Sequence, residues 1–312
     1  MSKRISKISR KASPERKFRW WHAVAVILVI AAAFLLLEKL KHGYLREAQK
    51  KQQPVETGAM PPRIPTEYEQ RQYTSVRPAP PKKAGLPAPS YQAGTVAIIV
   101  DDMGSSLKEA DELLSIGIPI TFSIIPGLQK VKGVAEAAKA SGRDVMIHIP
   151  MEPQGYPKQR LEANGLLVAY SAEELAERSE KLIDAVPDAV GANNHMGSRF
   201  TEIEEKMSPV LKVLKKHGLF FIDSRTSPLS KGFELSRKLG LKSATRNVFL
   251  DNEQDVAAIK KQLNVASGMA RRKGGVIAIC HPHPATIAAL KEAVPELQKA
   301  GIRFVPAREL VR

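Results

Sequence analysis

From Thr95 onward the chain alternates between short aliphatic runs and longer amphipathic stretches, with polar clusters between them. The runs span 95–100, 119–124, 144–149, 189–193, 219–222, 243–250, 276–280 and 303–305. They are short, so each is predicted as a strand, and the first, rich in Val and Ile, as one buried on both faces. Residues 106–115, 133–140, 172–185, 203–217, 232–239, 255–273 and 285–300 carry helical patterning. Ser171 ahead of Glu174 forms a capping box, and Gly218 after His217 marks a helix end. Strands alternating with helices make a parallel sheet with helices outside it. Seven or eight such units predict an α/β fold, a (β/α) barrel that is distorted or incompletely closed. An open doubly wound sheet is the competing architecture. No Gly-x-Gly-x-x-Gly follows the first run, so nothing supports a dinucleotide site.

Polar residues gather after the runs. Val100 leads into Asp101 and Asp102; the third run leads into His148 and Glu152. The fourth is followed by Asn193-Asn194-His195-Met196-Gly197-Ser198, the fifth by Asp223-Ser224-Arg225, and the seventh by His281-Pro282-His283. In β/α barrels and open α/β sheets the active site lies at the carboxyl ends of the strands. Taken alone, Asp101 and Asp102 fit a helix cap beside a solvated acid equally well, and a lone strand-end histidine is more often merely hydrogen-bonded. Four histidines converging with Asp101, Asp102 and Asp223 point instead to a divalent cation, Zn²⁺ first among them. His217, late in a helix beside Lys215 and Lys216, is expected to be solvated. A metal-bound water would be the nucleophile, a carboxylate would take its proton, and a histidine would protonate the leaving group. A serine nucleophile is less supported: there is no Gly-x-Ser-x-Gly, and only proximity recommends Ser198 or Ser224. Cys280, the single cysteine, rules out an intrachain disulfide and reads as a buried strand residue.

The first 94 residues differ in kind. They hold 18 Lys/Arg against 6 Asp/Glu, leaving 30 against 26 for 95–312, so the net charge of +16 divides as +12 and +4. The folded part is nearly neutral, which argues against nucleic-acid binding. Residues 1–19 read as a basic cytoplasmic tail. Residues 20–37, 18 residues broken only by His22, are long and apolar enough for one transmembrane anchor. Trp20 and Trp21 suit the membrane interface, and the basic flank favours a cytoplasmic N-terminus. No small-residue cleavage site directly follows Leu37, so an uncleaved anchor is expected rather than a signal peptide. Residues 38–94, with nine of the chain's 22 prolines between Pro54 and Pro89, read as an extended linker. These features predict a single-pass inner-membrane protein with an extracytoplasmic domain.

The ordered set Asp-Asp-x-Gly, His-x-Pro, Asn-His-Met-Gly-Ser and His-Pro-His resembles the divergent, membrane-tethered bacterial branch of the polysaccharide deacetylase family, over residues 95–312. The resemblance implies that Asp101 is the base, Asp102 and His148 are metal ligands and His281 is the general acid. The family's His-x-x-x-His ends here in Glu152, so the third ligand is expected to be His195 or Glu152. Asp223 is a further catalytic candidate. Glu152, Ser198, Arg225 and His283 are expected to meet substrate. The implied activity is metal-dependent removal of acetyl groups from an envelope glycan such as peptidoglycan. Alternatives are a non-catalytic, metal-containing envelope protein that binds glycan or a partner through the same cleft, and another metallohydrolase such as a peptide amidase.

Overall fold

The structure is a computed structural model that describes residues 94–312. The predicted basic tail and apolar stretch, and all of the linker but Gly94, lie outside the described residues. Among the described residues no helix is long and apolar enough to cross a membrane.

Nine strands form one sheet: β1 (Thr95–Met103), β2 (Thr121–Ile124), β3 (Val145–Met151), β4 (Gly191–Met196), β5 (Phe220–Asp223), β6 (Ser243–Thr245), β7 (Val248–Phe249), β8 (Gly275–Cys280) and β9 (Arg303–Phe304). Eight follow the order β6-β5-β4-β3-β2-β1-β8-β7, and β9 pairs separately with β1. Every pairing between them is parallel. Parallel neighbours require crossovers, which the helices supply. These are α1 (Leu107–Leu114), α2 (Val131–Ala140), α3 (Ala172–Asp184), α4 (Glu204–Lys216), α5 (Gly232–Lys238), α6 (Val256–Lys273) and α7 (Pro284–Lys299). Side chains of Ser106, Ser171 and Asp255 cap α1, α3 and α6 by accepting from the backbone N–H three residues on, each worth about 0.5–2 kcal/mol.

The result is a curled, barrel-like (β/α) sheet that hydrogen bonds do not close. The predicted strand 243–250 is two strands. Ser243–Thr245 pairs with β5, whereas Val248–Phe249 pairs with β8 at the other end of the order. The switch lies at Arg246 and Asn247: the Arg246 N–H donates to Asp223 O, and the Asn247 N–H to Ile277 O. The polar pair Arg246-Asn247 interrupts the stretch, and each half satisfies its backbone on a different neighbour.

Strand phase separates two cores. Val96, Ile98 and Val100 of β1 pack outward in the large core with the helices, alongside Leu113, Val134, Leu214 and Leu290. Ala97, Ile99, Met146, Phe220, Ile222, Ile277 and Ile279 form a smaller core inside the curl, closed below by Val305 and Ala307. Continuing the inward rows toward the carboxyl ends brings Asp101 after Ile99, His148 after Met146, Ser224 after Ile222 and His281 after Ile279. The same face of the sheet therefore turns from apolar to polar along the strands.

Candidate functional site

Several candidate site residues lie within strands rather than after them. β1 runs through Asp101 and Asp102 to Met103, and in β3 and β4 His148 pairs with Asn193 and Pro150 with His195. Adjacent residues in a regular strand face opposite sides. Both aspartates nevertheless approach His148 Nε2, because the β1–β2 register shifts between Val100 and Met103 and Asp102 adopts φ +56°. Met196 (φ +52°) and Arg225 (φ +50°) are also left-handed, and the cleft is lined by both. Such conformations cost on the order of 1–3 kcal/mol each and cluster at functional sites.

Asn193 is the hub beneath the cleft. Its Nδ2 donates to Asp101 Oδ1 at 2.8 Å and to Ser224 Oγ at 3.2 Å. Its Oδ1 accepts from Ser123 Oγ at 2.6 Å and lies 2.7 Å from His148 Nδ1. An amide oxygen only accepts, so His148 Nδ1 carries a proton and Nε2 faces the acids. That Nε2 lies 3.2 Å from Asp102 Oδ1 and 3.5 Å from Asp101 Oδ2. His195 Nδ1 approaches the same Asp102 Oδ1 at 2.8 Å. Neither approach has hydrogen-bond alignment, and Asp102 Oδ1 is buried without a hydrogen-bond partner. Asp102, His148 and His195 each offer one ligand atom, all within 4.8 Å of one another. A buried carboxylate oxygen facing two imidazole nitrogens fits a divalent cation, and one carboxylate with two imidazoles is a zinc-type donor set. Burial alone would raise the Asp102 pKa, but the His148 and His195 contacts overcome it and hold it well below the usual range. Burial would lower His148, yet Asp101 and Asp102 outweigh that and raise it.

Flanking this trio are the two groups suited to proton transfer. Asp101 is fully buried, and desolvation raises its pKa against the pull of His148, Asn193 and His281. His281 directs Nε2 toward Asp102 Oδ2 at 3.8 Å. Its Nδ1 lies 3.2 Å from Asp251 Oδ1, and its backbone N–H donates to Asp251 Oδ2 at 2.7 Å. Thr286 Oγ1 also donates to that oxygen at 2.9 Å. Burial would depress His281, but the Asp251 bond and the charges of Asp101 and Asp102 raise it to about 8. The cleft, about 450 Å³, is lined by Asp101, His148, His195, Arg225, Arg246 and His281 among others.

Other expected site residues fall elsewhere. Glu152 joins neither the trio nor the cleft lining: its Oε1 meets Arg199 Nη1 at 2.6 Å, and its Oε2 accepts from the Val168 N–H at 2.8 Å. It braces the loop after β3, so His195 is the histidine brought to Asp102 and His148. Asp223 accepts from the Arg225 N–H, Ser230 Oγ and the Phe233 N–H, which commits both oxygens to its own loop and to α5. It lies on the outer phase of β5, opposite Ile222. Ser198 lines the cleft and accepts from the Gln154 N–H at 3.0 Å. His283 N-caps α7 with its ring 5.7 Å from that of His281, outside the cleft lining. Cys280 is buried, as expected, and its Sγ–H donates to Ile99 O at 3.7 Å. His217 is paired with Glu180 rather than only solvated. Asn193, Asp251, Arg246 and Glu162 are not among the residues expected from sequence to form the site. Asp251 followed a predicted strand, a signal that could have found it; Glu162 sits in a loop with no periodicity at all.

Comparison with known proteins gives consistent matches. A family model described as divergent polysaccharide deacetylase matches residues 98–311. The uncharacterized protein YibQ of Escherichia coli (strain K12) is 38% identical over 219 residues, covering 70% of this chain and 68% of that one. An uncharacterized protein of Haemophilus influenzae is 36% identical over 217 residues, covering 70% and 74%. The crystal structure of an uncharacterized protein from Agrobacterium tumefaciens C58 superposes with a TM-score of 0.67 at 25% identity, covering 72% of this chain and 92% of that one.

Proposed function

The chain belongs to the divergent polysaccharide deacetylase family, and from that premise we propose that it is a metal-dependent hydrolase removing acetyl groups from an envelope polysaccharide, with Zn²⁺ as the resident cation. The observation that carries the reading is Asp102 Oδ1, buried and without a hydrogen-bond partner, facing two imidazole nitrogens between a buried acid and a raised histidine.

Asp102, His148 and His195 would hold the cation. What a bound divalent ion supplies is Lewis acidity, which polarises the acetyl carbonyl and makes water a readier nucleophile. Asp101, kept basic by burial and aimed by Asn193, takes the proton of the attacking water. His281, protonated up to about pH 8, gives its Nε2 proton to the departing amine or alcohol as the carbonyl–heteroatom bond breaks. Acetate and a free amino or hydroxyl group result. Asp251 holds His281 by its ring and by its backbone, so the donated proton comes from a fixed position.

The location belongs to the same proposal. The apolar stretch 20–37 with its basic flank supports an inner-membrane anchor, and the Pro-rich linker supports a tether that carries the domain outward to the glycan. The test is acetate release from acetylated glycans by the purified full chain, with zinc and with a chelator. Release that zinc restores is expected. No release from any acetylated glycan, with zinc bound, would overturn the enzymatic reading and favour a binding protein on the same cleft.

A further inference from the structure

We propose that Glu162 is the carboxylate that fixes the tautomer and tilt of His195, and thereby sets how tightly the trio holds its cation. The inference rests on the metal reading of Asp102, His148 and His195. His195 has two ring nitrogens with different surroundings. Nδ1 lies 2.8 Å from Asp102 Oδ1. Nε2 is buried without a hydrogen-bond partner and faces Glu162 Oε2, also buried and unpartnered, across 3.7 Å. That gap is too long for a hydrogen bond, which needs about 2.7–3.2 Å. It is also too short for a water in line, which would need roughly twice a hydrogen-bond length. A side-chain shift of less than about 1 Å closes it into an ordinary N–H···O bond.

The bond has a consequence for the other end of the ring. An imidazole that donates from Nε2 carries its lone pair on Nδ1, the atom beside Asp102. His148 is arranged by the same logic in mirror image: its Nδ1 faces Asn193 Oδ1, leaving Nε2 for the acids. Each ligand histidine thus has a backing acceptor, a neutral amide for His148 and a carboxylate for His195. Glu162 is a positioning residue and not a ligand, because it lies across the ring from the trio. Its loop is tied down at two points: the Gly165 N–H donates to Glu162 O at 2.8 Å, and the neighbouring Asn164 Nδ2 donates to Pro126 O at 2.8 Å. The loop is braced further by Glu152, whose carboxylate joins Arg199 to the Val168 N–H. A carboxylate behind a ligand histidine raises its basicity, and losing one typically weakens metal binding about 10–100-fold.

The experiment measures zinc affinity of the metal-stripped full chain by competition with a chromogenic chelator. The wild type is compared with Glu162→Ala, Glu162→Gln, His195→Ala and the double variant His195→Ala/Glu162→Ala. Glu162→Ala is expected to bind zinc about 10–100-fold more weakly. Glu162→Gln should fall between, since its amide oxygen still accepts the Nε2 proton without the charge. On the His195→Ala background the Glu162 change should cost nothing further. ¹⁵N spectra of the histidine rings in the zinc-free protein should show His195 as the Nε2–H tautomer in the wild type and a mixture in Glu162→Ala. Equal zinc affinity in wild type and Glu162→Ala, or the same loss on the His195→Ala background, would overturn this role alone. A wild type that binds no zinc would overturn the metal reading beneath it.

Discussion

Asp101 and His281 sit on either side of Asp102, and their surroundings push them toward opposite jobs. Asp101 is a carboxylate removed from bulk solvent, which suits a base; His281 is an imidazole with a carboxylate behind it, which suits an acid. Asp101→Asn should therefore lower the rate by about 10²–10⁴-fold while zinc stoichiometry stays unchanged, measured by acetate release beside metal analysis. The pH dependence follows from His281. Its pKa is raised to about 8, so the protonated, donating form dominates below that pH and is lost above it. Asp251→Asn removes the first of the influences that raise it, so the alkaline limb of the rate profile should move to lower pH. An unmoved limb would show that His281 is not the group titrating. Single residues were also where sequence misled. Asp223 and Asp101 both follow aliphatic runs, but the run 219–222 is apolar at every position and conceals which phase faces inward. Glu152 stands four residues after His148, where the family resemblance made it one of two candidates for the third ligand, yet it lies past the end of β3, where Arg199 claims it.

Strand phase is what assembles the site. Inward rows that begin as Ala97, Met146 or Ile277 end as Asp101, His148 or His281, so one sheet face supplies both a core and a cleft. The alternation of strands and helices was legible because each run is long enough to require burial and each helix carries its own periodicity. The split of 243–250 left only the polar pair Arg246-Asn247 as a trace, and which neighbour each half pairs with leaves no mark in the sequence at all. Gly191 shows how closely the inward rows fit: a Cβ there would overlap the Phe220 ring of β5. Gly191→Ala should destabilise the protein by about 1–3 kcal/mol through overpacking, read from denaturant or thermal unfolding. A variant as stable as the wild type would mean that this part of the sheet has room that the structure does not show.

At the scale of the whole chain, charge and hydropathy divide the sequence at about the point where the sheet begins. The domain is nearly neutral, and the segment before it is basic and, between Pro54 and Pro89, rich in proline. Cell fractionation tests the proposed anchor: the full chain should sediment with the inner membrane and resist extraction by high salt, and a chain with charges introduced into 20–37 should not. The central claim is that groups as far apart in sequence as Asp102 and His195 meet on one cation, and zinc titration of the metal-stripped protein tests it most directly. One tightly bound zinc per chain is predicted for the wild type and for Glu152→Gln, with loss of that site in Asp102→Asn and His148→Ala and a much weaker, still measurable site in His195→Ala. Undiminished zinc binding in those three variants, or its loss on changing Glu152, would contradict the account.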